Sequence, residues 1–119
     1  MEIKGWFNEG KPMIDIYLEG TKEPIEVLVD TGFNGELMLT KEKIKELSLS
    51  FIGDDEYMTA SGDVVPTTVH IGHIRWFGRT RKTAVLATSG KANLIGMELL
   101  HFYRLDIARF QNRLIISKS

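Results

Sequence analysis

The stretch Ile25-Glu26-Val27-Leu28-Val29-Asp30-Thr31-Gly32 decides the fold. Its apolar residues Ile25, Val27 and Val29 fall at every second position, the period of a β-strand with one buried face. The strand then stops at a polar turn, which places the Asp30 carboxylate at the rim of an apolar core. A carboxyl at such a rim is placed where a general acid or base is expected. Thr31 adds a hydroxyl able to lock a neighbour, and Gly32 lets a ligand approach the backbone closely. Asp-Thr-Gly is also ordinary turn chemistry, so the tripeptide needs its surroundings before it means more.

Working outward, the same period recurs. Ile14, Ile16 and Leu18 share one face, as do Val65, Val69 and Ile71 with Thr67 between them. Ala84-Val85-Leu86-Ala87, the alternating Leu105 and Ile107, and Leu114-Ile115-Ile116 read as further strands. Gly10-Lys11-Pro12 and Glu19-Gly20-Thr21 read as turns between them. Helical signals are short. Thr40 is a natural cap for 41–47, where Ile44 and Leu47 lie one turn apart, and 97–102 is a second candidate helix. Many short strands joined by turns predict an all-β chain, a small closed β barrel with one or two short helices.

Composition sets the bounds. At 119 residues the chain suits one domain spanning 1–119. Hydrophobic residues make up 43% and charged residues 26%, which is globular. A formal net charge of -1 gives no global pull towards nucleic acid or acidic lipid. The absence of cysteine removes disulfides and thiolate metal sites. The first residues, Met1-Glu2-Ile3-Lys4-Gly5-Trp6, have no signal-peptide pattern, and no apolar run has the length of a membrane span. A soluble cytoplasmic protein without metal or cofactor is the expectation.

Beyond the Asp30 turn comes Phe33-Asn34-Gly35-Glu36, then the apolar Leu37-Met38-Leu39. Much later comes Asn93-Leu94-Ile95-Gly96, two apolar residues and a glycine ahead of the second candidate helix. This ordered pair of motifs resembles the retropepsin-type aspartic proteases, particularly their small single-domain microbial members. The resemblance runs from about Lys11 to Ile116. It implies an acid-protease-type barrel and an aspartic endopeptidase in which water is activated between two aspartates. Asp30 then matches the catalytic aspartate. Thr31 matches the residue whose hydroxyl bonds across to a partner subunit, and Gly32 the glycine bordering the substrate. Leu94, Ile95 and Gly96 match the second strand supporting the active site. Phe33 is a departure: most members carry Ala or Ser there, and a ring beside the carboxylate narrows the cleft. With Phe33, Asn34 belongs to the expected substrate-binding wall.

Between the motifs, 57–65 reads as a hairpin with Ser61-Gly62-Asp63 at its tip. In the family a hairpin here closes over substrate, so Ser61, Gly62 and Asp63 are expected substrate contacts; the plain alternative is a surface hairpin. The chain holds a single Asp-Thr-Gly, so the resemblance implies a homodimer in which a twofold axis supplies the second aspartate. It also implies that the apolar termini, 3–7 and 114–117, interleave across that dimer, against the alternative that they pair only with each other. The substrate is a peptide or unfolded protein. The competing function is a weak or inactive dimeric barrel that binds peptide or acts as a scaffold.

Other residues carry less. His70 and His73 are spaced to point to opposite faces of a strand, which argues against a shared metal. His101 reads as a half-buried residue after an apolar helix. The run from Arg75 to Lys82 mixes cations with Trp76 and Phe77, as single-strand binders do. The balanced net charge favours a solvated hairpin with one packed face instead, so no nucleic-acid partner is expected.

Overall fold

A computed structural model describes residues 1–119. The strand Ile25–Val29 forms as the alternation requires, with Ile25, Val27 and Val29 buried and Glu26 exposed. In chain order the strands are β1 (Glu2–Lys4), β2 (Trp6–Asn8), β3 (Lys11–Ile16), β4 (Ile25–Val29), β5 (Leu37–Thr40), β6 (Ser50–Met58), β7 (Val64–Trp76), β8 (Arg79–Thr88), β9 (Leu94–Ile95), β10 (Tyr103–Ala108) and β11 (Arg113–Lys118). Eight of them make one sheet in the order β2-β3-β4-β9-β5-β8-β7-β6. β9 is the keystone, because it pairs parallel to β4 and antiparallel to β5. The two strands on either side of the Asp30 turn are therefore held apart by a strand from far along the chain. β5 is buried on both faces at Leu37, Met38 and Leu39, which explains its unbroken apolar run.

The ladder order is linear, with β2 at one end and β6 at the other. The sheet curls so that the chain beyond β3 meets β7 at one bridge, Leu18 to Ile74. Two backbone bonds flank that bridge: Arg75 N–H to Tyr17 O at 2.9 Å and Glu19 N–H to His73 O at 2.8 Å. Inside the curl, Ile14, Val27, Leu37, Leu39, Ile74, Val85 and Ile95 form the centre of the core, each shut off from solvent.

Thr40 caps α1 (Lys41–Glu46), its hydroxyl accepting from Lys43 N–H at 3.1 Å, and Ile44 is the buried residue of that helix. The second expected helix is corrected. Residues 97–102 form successive turns, bonded Leu100 N–H to Met97 O and Tyr103 N–H to Leu100 O. The Met97 and Glu98 amides are taken by Phe33 O and Gly35 O, so the opening turn of the segment is tied to another loop. A 3-10 turn at Arg109–Gln111 is the other helical piece. The first turn also shifts: Glu9 and Gly10, at φ 51° and 79°, make it. Lys11 and Pro12 already belong to β3, and Pro12 faces Phe7 beyond the reach of β4, where no second donor is needed. His101 is exposed, its ring edge-on to Phe102, and not half-buried.

The termini form a second sheet, β1-β11-β10. Ile3 faces Ile116 across one ladder and Leu105 faces it across the other. Within the chain the two termini thus pair with each other, and β11 has both edges occupied. Gly5 carries the chain from this sheet into the large one, where a Cβ would fall on the Met13 carbonyl and the Leu114 side chain.

Candidate active site

Asp30 stands at the end of β4, where its N–H donates to Ile95 O at 2.9 Å. One residue pair earlier, Leu28 N–H donates to Asn93 O at 2.8 Å. The carboxylate turns back on its own loop: Oδ1 accepts from Gly32 N–H at 2.9 Å. Phe33 N–H closes the turn on Asp30 O at 3.1 Å. Asp30 is half-buried, and Thr31 is exposed with no hydrogen bond inside the chain.

The rest of the loop is stitched to the end of β9 by three backbone bonds. Gly96 N–H donates to Glu36 O at 3.0 Å, Met97 N–H to Phe33 O at 2.8 Å and Glu98 N–H to Gly35 O at 3.2 Å. Contact this close leaves no room for a side chain at Gly96, where a Cβ would lie 2.5 Å from Phe33 O. The Phe33 ring is laid over Gly35 and Gly96; a Cβ on Gly35 would come 2.5 Å from its Cζ. The departure at Phe33 is thus seated on two glycines of the same site.

Before the loop lies a cleft of about 640 Å³. Asp30, Gly32, Phe33, Asn34 and Gly35 form one wall, Met38, Leu86 and Leu94 the floor, and Asp55 through Ala60 the opposite wall. That opposite wall is the end of β6 and the start of the hairpin turn. The turn is held by Gly62 N–H to Thr59 O at 2.9 Å, with Gly62 at φ 91°, and by Ser61 Oγ donating to Asp63 Oδ2 at 3.1 Å. Of the expected substrate contacts, Gly32, Phe33 and Asn34 line the cleft, whereas Ser61, Gly62 and Asp63 sit just past its wall on the exposed tip. Leu94 lines it, and Ile95 and Gly96 are buried behind.

Several residues of the site went unread in the sequence. Glu36 Oε1 accepts from Arg81 Nη2 at 2.9 Å and from the Thr83 hydroxyl at 3.2 Å, pinning the loop to β8. Asn93 Oδ1 accepts from Thr40 N–H at 3.0 Å, joining the lead into β9 to the end of β5. Asp55 and Glu56 line the same cleft as Asp30. Each is one polar residue in a polar stretch, with no local pattern to mark it. The histidines serve separate neighbours: His70 bonds to Thr68 Oγ1 at 2.9 Å and Leu49 O at 3.3 Å, while His73 lies 3.7 Å from a Glu19 carboxylate oxygen. The Arg75–Lys82 hairpin buries Trp76 and Phe77 and leaves its cations exposed, the solvated reading.

No protein-family model matches the chain, and no curated protein matches its sequence. Solved structures do. A retropepsin-like aspartic protease from Rickettsia conorii superposes with a TM-score of 0.72 at 23% identity, over 99% of this chain and 91% of that one. EIAV protease, in complex with the inhibitor HBY-793, superposes with a TM-score of 0.66 at 24% identity, over 80% of this chain and 90% of that one. At these identities the likeness is one of architecture, and the chain has the retropepsin-type fold.

Proposed function

We propose that the chain is an aspartic endopeptidase, residues 1–119 forming one domain that works as a homodimer with Asp30 of each subunit at a shared centre. The observation that carries this reading is the placement of Asp30. It is half-buried at a strand end, braced by the β9 backbone, and lines a cleft of about 640 Å³. Peptide hydrolysis needs one group to take a proton from water and another to give one to the amide. Two adjacent carboxylates sharing one proton do both. One Asp-Thr-Gly per chain makes a twofold axis the source of the second. Thr31, exposed and without a hydrogen bond in its own chain, is free to bond across that axis. We read the Leu18–Ile74 bridge as the corner where the curled sheet shuts into a small barrel. The hairpin tip at Ser61-Gly62-Asp63 is read as the end of a lid. A cytoplasmic location belongs to the same reading.

The alternative is a dimeric peptide-binding module without catalysis. It is supported by the Phe33 ring lying across the loop beside Asp30. Incubation with an unfolded protein at mildly acid pH, with and without a statine-type inhibitor, separates the two. Inhibitor-sensitive cleavage by the parent and none by Asp30→Asn supports the endopeptidase. Cleavage that survives Asp30→Asn refutes it.

A further inference from the structure

The hairpin wall of the cleft carries a feature that concerns substrate chemistry. Thr59 N–H donates to Asp63 O at 2.8 Å, so that pair is a hydrogen-bonded one. Antiparallel ladders alternate bonded and non-bonded pairs. Stepping down the register, Met58–Val64 is non-bonded, Tyr57–Val65 bonded and Glu56–Pro66 non-bonded. Pro66 has no N–H to give, which suits a pair that asks for none. The N–H and C=O of Glu56 therefore point away from β7, along the outer edge of the sheet, since β6 is its last strand. Within β6, residues 55 to 58 line the cleft consecutively, whereas one face of a strand would contribute every second residue, so it is this edge that fronts the cleft.

The Glu56 N–H is not vacant. The Asp55 carboxylate folds back and takes it, Oδ1 lying 2.7 Å from the nitrogen. A carboxylate oxygen thus occupies the place a peptide carbonyl takes when a strand adds to this edge. The surrounding charge is of one sign. Asp30, Asp55 and Glu56 all line the cleft, no Lys, Arg or His does, and none of the three has an ion-pair partner in the chain.

We propose that the cleft selects extended peptides that carry a lysine or arginine opposite Asp55 and Glu56. The peptide carbonyl replaces the Asp55 carboxylate on the Glu56 N–H, and the peptide's cation pairs with the carboxylate so released. A neutral peptide must evict the carboxylate without compensating it, and so binds more weakly. The inference rests on the cleft being a peptide site, which the endopeptidase and the peptide-binding alternative share.

The test uses full-length Asp30→Asn protein and labelled extended peptides. Lysine is compared with norleucine at each position in turn, with binding followed by fluorescence anisotropy. At one position lysine should bind about fivefold tighter, the scale of an exposed ion pair, with the advantage shrinking at high salt. The advantage should vanish when Asp55→Asn and Glu56→Gln are added. Asp55→Ala, which frees the Glu56 N–H, should bind the norleucine peptide more tightly than the protein that retains Asp55. Equal binding of lysine and norleucine at every position, or a preference that survives the double substitution, overturns the proposal. So does an Asp55→Ala protein that gains nothing for the neutral peptide, or a cleft that binds no peptide. Parent protein assayed for cleavage keeps the two readings apart. Lysine-selective binding without cleavage sinks the endopeptidase alone, and unselective cleavage sinks this inference alone.

Discussion

The Phe33 ring rests against Gly96: a Cβ placed on Gly96 would meet the ring Cδ2 at 2.6 Å and the Phe33 carbonyl oxygen at 2.5 Å. One contact is with a side chain that can move and the other with backbone that cannot. Gly96→Ala should therefore destabilise the protein by about 1 to 3 kcal/mol, the usual cost of overpacking. Adding Phe33→Ala should not restore the loss, because the carbonyls of Phe33 and Gly35 still stand in the way. Urea denaturation of the single and double variants checks this. Full recovery in the double variant would show that the ring alone sets the constraint.

Glu36 and Thr83 supply a second prediction. Thr83 is 1% exposed and its hydroxyl donates to Glu36. Glu36→Ala leaves that buried hydroxyl without its acceptor, at a cost of about 1 to 3 kcal/mol. Arg81→Ala removes only the exposed half of the network and should cost less than about 1 kcal/mol. Thr83→Val in the Glu36→Ala background should recover part of the loss, since no donor is then stranded. Equal costs for Glu36→Ala and Arg81→Ala in thermal melts would contradict this division.

Under the proposed two-aspartate mechanism, Asp30→Asn should separate chemistry from folding. The amide oxygen still accepts from Gly32 N–H, now at 2.9 Å from the carboxylate, so the melting temperature should stay within a degree or two of the parent. Cleavage should fall by at least about a hundredfold, the smallest share ascribed to general acid–base catalysis. Mixing parent with an excess of Asp30→Asn chains should suppress activity beyond dilution, because mixed dimers hold one carboxylate. Activity that follows dilution alone, in a species sedimenting as a monomer, would refute the two-aspartate centre.

Gly62 tests the lid. Its φ of 91° lies outside what proline adopts, and its N–H holds Thr59 O. Gly62→Pro should deform the tip while leaving the core untouched, since Gly62 is exposed. Turnover should drop about tenfold or more while the melting temperature moves little. Parent-level turnover in this variant would mean that the hairpin is no lid.

The strands were legible where their burial follows a local period. Ile25, Val27 and Val29 alternate with solvated or half-buried neighbours, and backbone geometry turns that alternation directly into one buried face. The Thr40 cap was legible for the same reason, since donor and acceptor lie within one helical turn. The Asp30 turn and the Leu94-Ile95-Gly96 strand were each visible as motifs. Their union was not a local matter. That β9 lies between β4 and β5 is a pairing across long loops, won by burying Ile95 against both neighbours. Residues 97–102 are a candidate helix in the sequence, yet distant carbonyls of Phe33 and Gly35 claim the opening amides. The partner of Glu36, the closure of the termini on each other and the Asp55 carboxylate on the sheet edge belong to the same class. The amino-acid sequence by itself determined which segments are strands and where the carboxylate turn falls, because those depend on neighbours a few residues away. Only the tertiary structure decided which strands meet and which polar groups face the cleft, because those depend on which distant surfaces exclude water from one another.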